Sequence, residues 1–250
     1  MKFAGKVAVV TGGGRGIGWT IARHFASRGA AIAIADIDGE VARHAARELA
    51  REGTAALGVA CDVADEAMAA SAMAQISSML GGIDMLINNA GRHLLRYAVP
   101  ITQLPVAEWR TMLDVNIIGI VNCSAACRPS MRERGGGVIV NMGSIAGIAA
   151  TNCYGVSKLA VRGLTVGLAK EFAGDAIRVC GIAPGLVDSP AAMAEMPAER
   201  TASFVRDLQL VRRQGTMQDV AHLAEFLCSD EASFITGETI NVSGGFPLRP

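Results

Sequence analysis

The sequence predicts a doubly wound α/β domain, a parallel sheet with helices on both faces, and three observations carry that expectation. Short continuous apolar runs alternate with segments of helical period along nearly all of the 250 residues. A glycine-rich turn, "TGGGRGIG" at 11–18, joins the first apolar run to the first helical segment. An acidic residue, Asp36, ends the second run. No linker, internal repeat or low-complexity tract interrupts the chain, so it reads as one domain over 1–250.

The elements follow in order. "KVAVVT" at 6–11 is a short β-branched strand, and the next segment repeats apolar residues at helical spacing, Ile17, Ile21, Ala22 and Phe25, until Gly29 ends it. "AIAIA" at 31–35 is a buried strand leading to a helix over about 40–52, rich in Ala, Arg and Glu and stopped by Gly53. A strand near 55–60, a helix over about 66–80, the strand "MLIN" at 85–88 and one long helix over about 107–133 continue the alternation. The strand 137–142, a helix over about 152–173 and the strand 177–183 come next. A less regular region at 186–214, a helix over about 218–228 and a strand at 238–242 complete the pattern.

Composition narrows the function classes. Lys and Arg total 23 and Asp and Glu total 23, so no charge surplus points to nucleic acid or an acidic partner, and small molecules are the expected partners. The start has no basic segment followed by a long apolar one, and no stretch reaches the roughly 20 apolar residues of a bilayer span. The expectation is a soluble cytoplasmic protein with no membrane partner. Six cysteines include no C-x-x-C pair, and no His cluster stands at zinc spacing, so they read as reduced, mostly buried thiols without a metal.

In a doubly wound sheet the first strand-to-helix turn presents backbone N–H groups to a pyrophosphate at a helix N-terminus, which makes this sheet Rossmann-like. Gly12 and Gly16 are placed to supply the tight turn and the phosphate contact, and Gly18 lets the helix starting near Ile17 approach the strands. The spacing is G-x-x-x-G-x-G rather than the G-x-G-x-x-G fingerprint. Asp36 lies 20 residues after Gly16, where a carboxylate accepts from both ribose hydroxyls of NAD; the plain alternative is a helix cap. Arg15 suits the 2′-phosphate of NADP instead, but Asp36 repels that dianion, so NAD is the expected cofactor and NADP the less favoured one.

Tyr154 and Lys158 form Y-x-x-x-K at the start of a helix, and that spacing puts both side chains on one face. A phenol of pKa near 10 is a poor base at neutral pH, and a neighbouring ammonium favours its phenolate. Ser144 follows the strand "GVIVNM", at the sheet edge where ligands bind, and its hydroxyl is placed to hold a substrate oxygen. Singly, each residue has a plain alternative: packing for Tyr154, a solvated charge for Lys158, a cap for Ser144.

With these motifs the chain resembles a short-chain dehydrogenase/reductase of the small single-domain type. The match runs through "TGGGRGIG", "CDV" at 61–63, "NNAG" at 88–91, "VN" at 115–116, Ser144, "YGVSK" at 154–158, "PG" at 184–185 and "ITGETINVSGG" at 235–245. The resemblance implies that Tyr154 is the general acid/base, that Ser144 orients and polarises the carbonyl, and that Lys158 lowers the Tyr154 pKa and binds the nicotinamide ribose. It also implies that Asn116 holds a water in the proton relay and that Asp62 meets the adenine. Asn88, Gly91, Val63, Ala90, Pro184, Gly185 and Val187 then pack beside the cofactor. A homotetramer is implied as well.

Four departures stand out. The connection from Ser144 to Tyr154 has nine residues, 145–153, fewer than the family usually has, so the pocket wall it forms changes shape. Cys180 replaces an Asn before "PG", and Ser243 replaces an Asp in the last motif. Arg92 and His93 follow "NNAG" where an apolar residue is common; His93 reads as a loop residue and Arg92 as a contact for a polar substrate group. Cys153 beside Tyr154 reads as packing, since the hydride mechanism needs no thiol.

The expected pocket wall, with Ile145, Ala146, Ala149, Leu186, Met193, Met196 and Phe204, is mostly apolar and suits a secondary alcohol or ketone with an alicyclic, aromatic or steroid-like body. Residues of about 188–212 resemble the variable lid of the family, a mobile helical flap. Two other readings compete. One is an NADPH-dependent carbonyl or 3-oxoacyl carrier-protein reductase, favoured by Arg15 and opposed by Asp36. The other is a non-catalytic cofactor-sensing module, opposed by the intact set Ser144, Tyr154, Lys158 and Asn116.

Overall fold

The structure, a computed structural model, describes residues 1–93, 97 and 99–248. Its strands are β1 (Val7–Thr11), β2 (Ala31–Asp36), β3 (Ala56–Ala60), β4 (Met85–Asn88), β5 (Gly137–Met142), β6 (Ile177–Pro184) and β7 (Thr239–Val242). Between them run α1 (Gly16–Ser27), α2 (Gly39–Arg51), α3 (Glu66–Leu80), α4 (Val106–Leu113), α5 (Gly119–Glu133), α6 (Ala146–Ala149), α7 (Cys153–Phe172), α8 (Pro190–Glu195), α9 (Ala198–Asp207) and α10 (Met217–Cys228). The seven strands form one sheet in the order β3-β2-β1-β4-β5-β6-β7, and every pairing is parallel. The expected fold class holds.

Alternation along each strand divides the core into two layers. Ala8 and Val10 of β1, Ile32 and Ile34 of β2 and Val138 and Val140 of β5 pack with Ile21 and Phe25 of α1, Leu49 of α2 and Leu227 of α10. Val9, Ala33 and Ile139 point the other way, toward Met73 and Ile76 of α3, Cys127 of α5 and Phe172 of α7. All six cysteines are free and buried, and burial pushes the Cys127 and Cys228 thiols well above the ordinary thiol range.

One expected element differs in a way that matters. The long helix over 107–133 is interrupted by a turn of π-helix at Asp114–Ile118, between α4 and α5. A π-turn inserts one residue into the ladder and re-aims the side chains around it, a device common at functional sites. Hydrophobic periodicity does not register a single inserted residue. The irregular region after β6 resolves into α8 and α9, each opened by a proline at or just before its first residue, Pro190 and Pro197.

The strand β3 lies close under α2 because Gly58 has no side chain. A Cβ there would stand 2.4 Å from the carbonyl oxygen of Ala42 and 2.5 Å from the Arg43 nitrogen, and backbone cannot give way as a side chain can. Gly58→Ala is therefore expected to destabilise the protein by about 2 kcal/mol, a fall in Tm of roughly 5 °C, checked by thermal melting. An unchanged Tm would show that β3 and α2 are free to separate.

Candidate active site

Strand order reverses between β1 and β4, so the loops leaving those two strands diverge and open a crevice at the carboxyl edge of the sheet. A cleft of about 580 Å³ lies there. Of the expected cofactor residues, Gly12, Arg15, Gly16, Ile17, Asp36, Asp62, Val63, Ala90, Gly91, Pro184, Gly185 and Val187 line it, together with Ser144, Tyr154 and Lys158.

The glycine turn has two different reasons for its glycines. Gly16 takes φ +57°, and a Cβ there would meet nothing within 4 Å, so backbone conformation favours glycine. At Gly18 a Cβ would come within 2.5 Å of both the Gly12 carbonyl oxygen and Asn89 Nδ2, so crowding excludes one. Asp36 is 8% exposed at the end of β2, its carboxylate accepting from the Gly14 and Asp38 N–H groups at 3.3 and 3.2 Å. The helix-capping role belongs to Asp38, which accepts from Glu40 and Val41 at the start of α2. Asp62 accepts from the Ala64 N–H at 3.0 Å.

Asn88 stands apart from the cleft. Its amide is buried beneath the sheet edge, donating to Asn141 Oδ1 at 2.9 Å and Ser124 Oγ at 3.2 Å. The neighbour takes the cleft position: Asn89 lines it and donates from Nδ2 to the carbonyl oxygens of Thr11 and Gly12, both at 3.0 Å. Thr11 Oγ1 accepts in return from the Asn89 and Ala90 N–H groups at 3.0 Å, so the loops after β1 and β4 are tied together. The doubled asparagine of "NNAG" does not tell from sequence which of the two faces the cleft.

Helix α7 begins at a cap in which Asn152 Oδ1 accepts from the Gly155 N–H at 2.8 Å, and this sets Tyr154 and Lys158 one turn apart. Lys158 is 6% exposed, its Nζ donating to the Met142 carbonyl at 2.8 Å and standing 5.6 Å from the centroid of the Tyr154 ring. Burial lowers Lys158 to about 8. Burial also raises the Tyr154 phenol, while a hydrogen bond with Ser144 pulls it down. Loss of water around the phenol thus outweighs the Ser144 hydrogen bond, and the net shift is upward, the reverse of the direction expected from charge alone.

The π-turn carries Asn116, which is buried behind the cleft rather than lining it. Its Oδ1 accepts from the Arg92 N–H at 2.8 Å, and its Nδ2 donates to Ser157 Oγ at 3.0 Å. Ser157 in turn donates to the Tyr154 carbonyl at 2.7 Å. A Cβ on Gly91 would lie 3.3 Å from Asn116 Oδ1 and 3.6 Å from Lys158 Nζ, so both groups converge on that stretch of backbone. Cys153 is 1% exposed among Tyr97, Leu104 and Met112, and burial pushes its thiol up, which fits packing.

The short connection between Ser144 and Tyr154 folds as α6 lying directly on α7. A Cβ at Gly147 would stand 2.7 Å from the Leu159 nitrogen, and one at Gly155 would stand 2.9 Å from the Ala146 oxygen. Ala150 closes the turn at φ +50°, a left-handed value that an L side chain adopts at a cost of about 1 kcal/mol.

None of the residues expected to wall the pocket, Ile145, Ala146, Ala149, Leu186, Met193, Met196 and Phe204, lines the cleft. Ala191 and Ala192 of α8 line the cleft, but Met193 faces away into a second cavity of about 710 Å³, shared with Met196, Thr201 and Val205 and holding none of the catalytic set. Phe204 packs edge-on against Phe246, ring centroids 5.1 Å apart, and lines neither space. Ile145 and Leu186 adjoin cleft residues without lining it. Six-residue α8 divides the wall, and sequence does not show which of its faces turns inward. Val115, Arg92 and His93 line the cleft in their place.

The fold agrees with what comparison finds. A family model described as enoyl-(acyl carrier protein) reductase matches residues 12–247. The chain is 38% identical over 247 residues to cis-4-hydroxycyclohexanecarboxylate dehydrogenase of Sinomonas cyclohexanicum, covering 98% of this chain and 97% of the relative. It is similar to a solved structure of 7α-hydroxysteroid dehydrogenase complexed with NADH and 7-oxo glycochenodeoxycholic acid, at TM-score 0.89 and 33% identity over 98% of this chain and 95% of that one. It also resembles a blue fluorescent protein from a metagenomic library in complex with NADPH, at TM-score 0.90 and 31% identity over 99% and 100% of the two chains. With nearly its whole length matched in sequence and fold, this chain belongs to the short-chain dehydrogenase/reductase family.

Proposed function

We propose that the protein is an NAD(H)-dependent dehydrogenase that interconverts a secondary alcohol and its ketone, the substrate having an alicyclic or steroid-like body. The observation that carries this reading is the meeting of Ser144, Tyr154 and Lys158 in the same cleft as the glycine turn and Asp36. Ring-bearing ligands in the names of two relatives support the substrate class.

The residues present fit a nicotinamide dinucleotide. The open face at Gly16 leaves room for a pyrophosphate at the start of α1, and the Asp36 carboxylate ends β2 with only backbone N–H partners, free to accept from ribose hydroxyls. Gly12, Arg15, Ile17, Asp62, Val63, Ala90, Gly91, Pro184, Gly185 and Val187 complete the walls that would hold it. NAD is preferred because a carboxylate at Asp36 repels a 2′-phosphate, and Arg15 is exposed, so water screens the charge it would set against that repulsion. When bound, the cofactor supplies the hydride acceptor or donor and, oxidised, a positive charge beside the phenol.

In oxidation, the Ser144 hydroxyl holds the substrate oxygen and the Tyr154 oxygen takes its proton; in reduction Tyr154 returns it. Lys158 faces the Tyr154 ring from an enclosed position, so its charge acts through little water and favours phenolate once the cleft gathers further positive charge. Asn116 and Ser157 fix the backbone from which Tyr154 and Arg92 project. Apolar residues exposed on α7, Leu159 and Val166, with Val121 on α5, support the accompanying proposal of a homotetramer.

Three outcomes test this reading. Tyr154→Phe should lower kcat/KM for a secondary alcohol by about a thousandfold while NADH affinity stays within about twofold; substantial residual turnover would remove Tyr154 from the proton transfer. Asp36→Asn should raise the ratio of kcat/KM with NADP to that with NAD by about tenfold, and an unmoved ratio would mean that the carboxylate does not select the cofactor. Lys158 holds its proton less tightly folded, at about 8, than at its ordinary 10.5. Wild type should therefore gain stability over Lys158→Met as pH rises from about 8 toward 10.5, read by urea denaturation. A fall in wild-type stability relative to Lys158→Met over that range would contradict the enclosed ammonium.

A further inference from the structure

Arg92 brings a cation to the reacting end of the cleft that the proposed hydride chemistry does not use. The residue lines the cleft with Ser144 and Tyr154, and its backbone is held by Asn116 Oδ1. Its Nη1 donates to the hydroxyl of Tyr97 at 3.3 Å, and Tyr97 is itself anchored, 2% exposed, among Leu104, Met112 and Cys153. The Nε–H is shielded from water and meets no acceptor. Among the described residues no carboxylate pairs with this guanidinium. The acids that line the cleft, Asp36, Asp38 and Asp62, lie at or just after the ends of β2 and β3, on the far side of the sheet's switch point from Arg92 and Ser144.

An arginine held this way is unusual. Burying part of a guanidinium without an anion is unfavourable, and a planar fork of N–H donors matches a carboxylate better than it matches a hydroxyl or an amide. A surface lysine or arginine would escape the penalty by turning into water, but the hold on Tyr97 keeps Arg92 at the cleft wall. The arrangement is complete only when an oxyanion enters beside Tyr154.

We infer that Arg92 is the receptor for a carboxylate on the substrate, so that the alcohol oxidised is a hydroxy acid and its product an oxo acid. The inference rests on the dehydrogenase reading for the fate of the alcohol carbon, and it assigns the other end of the molecule. The carboxylate takes no part in the reaction; its pairing with Arg92 fixes which secondary carbon faces Tyr154. An acid-bearing ring gains affinity, and a neutral ring of the same shape does not.

Binding of cyclohexanecarboxylate tests this directly, because that molecule has the ring and the charge but no hydroxyl to oxidise. Isothermal titration of the NADH-saturated protein should show it binding about tenfold or more tightly than cyclohexanecarboxamide. Arg92→Met should close that gap, and Arg92→Lys should recover part of it by keeping the charge without the fork. If Arg92→Met does not fold, the wild-type preference and its decline with added salt, against Arg92→Lys, decide the matter. Equal binding of acid and amide by wild type, or a gap that persists in Arg92→Met, overturns the assignment. Because this probe is not turned over, failure of the dehydrogenase reading shows separately, as no reduction of NAD or NADP with any cyclohexanol while the acid preference stands.

Discussion

Parallel pairing of β1 with β4, in the middle of the sheet, is the constraint on which the rest of the molecule depends. It makes the chain leave one strand toward β2 and the other toward β5, so a crevice must open between the two loops. Once all strands run the same way, residues far apart in sequence, from Gly12 to Ala192, arrive at one edge without any local signal bringing them there. The hydrogen bonds of Asn89 and Thr11 then keep the crevice from widening, because they span the two diverging loops at their roots.

Beneath the cleft lies a polar layer that the sheet would otherwise fill with hydrocarbon. Asn88, Asn141, Ser124 and Thr165 satisfy one another, and Asn116 and Ser157 do the same beneath Tyr154. Buried amides of this kind stabilise only when every partner is present, so they define one arrangement of β4, β5, α5 and α7 and disfavour near alternatives. Lys158 belongs to this layer by depth and also lines the cleft. Its lowered affinity for a proton is the consequence of that double position.

The fold was legible in the sequence because its evidence is spread over many residues: strands that are apolar throughout, helices with periodic faces and glycines at their ends. The carboxyl-edge residues were legible for the same reason, since Tyr154, Lys158 and Asp36 each sit at a recognisable place in an element and Ser144 just after one. What escaped depends on a single residue's orientation. The inward asparagine of a pair, the face of α8 that meets the cleft and the inserted residue before α5 each turn on one step of a backbone, and neither periodicity nor composition measures one step. The outward turn of Met193 and the Phe204 contact with Phe246 are of that kind. The direction of the Tyr154 shift escaped for another reason: charge is visible in a sequence, but the exclusion of water is not.

The π-turn ahead of α5 also limits how this chain can change. Each residue of an ordinary helix advances the azimuth by about 100°, and the wide turn at 114–118 absorbs one extra residue, so α5 keeps the phase of a helix continued from α4. Straightening the turn with that residue kept would rotate α5 by about the same angle and carry Cys127 and Met131, now packed under the sheet, away from it. The irregularity and the core are therefore in phase with one another. A lineage that straightened this helix would have to lose a residue in the same step or redraw a whole face of its interior.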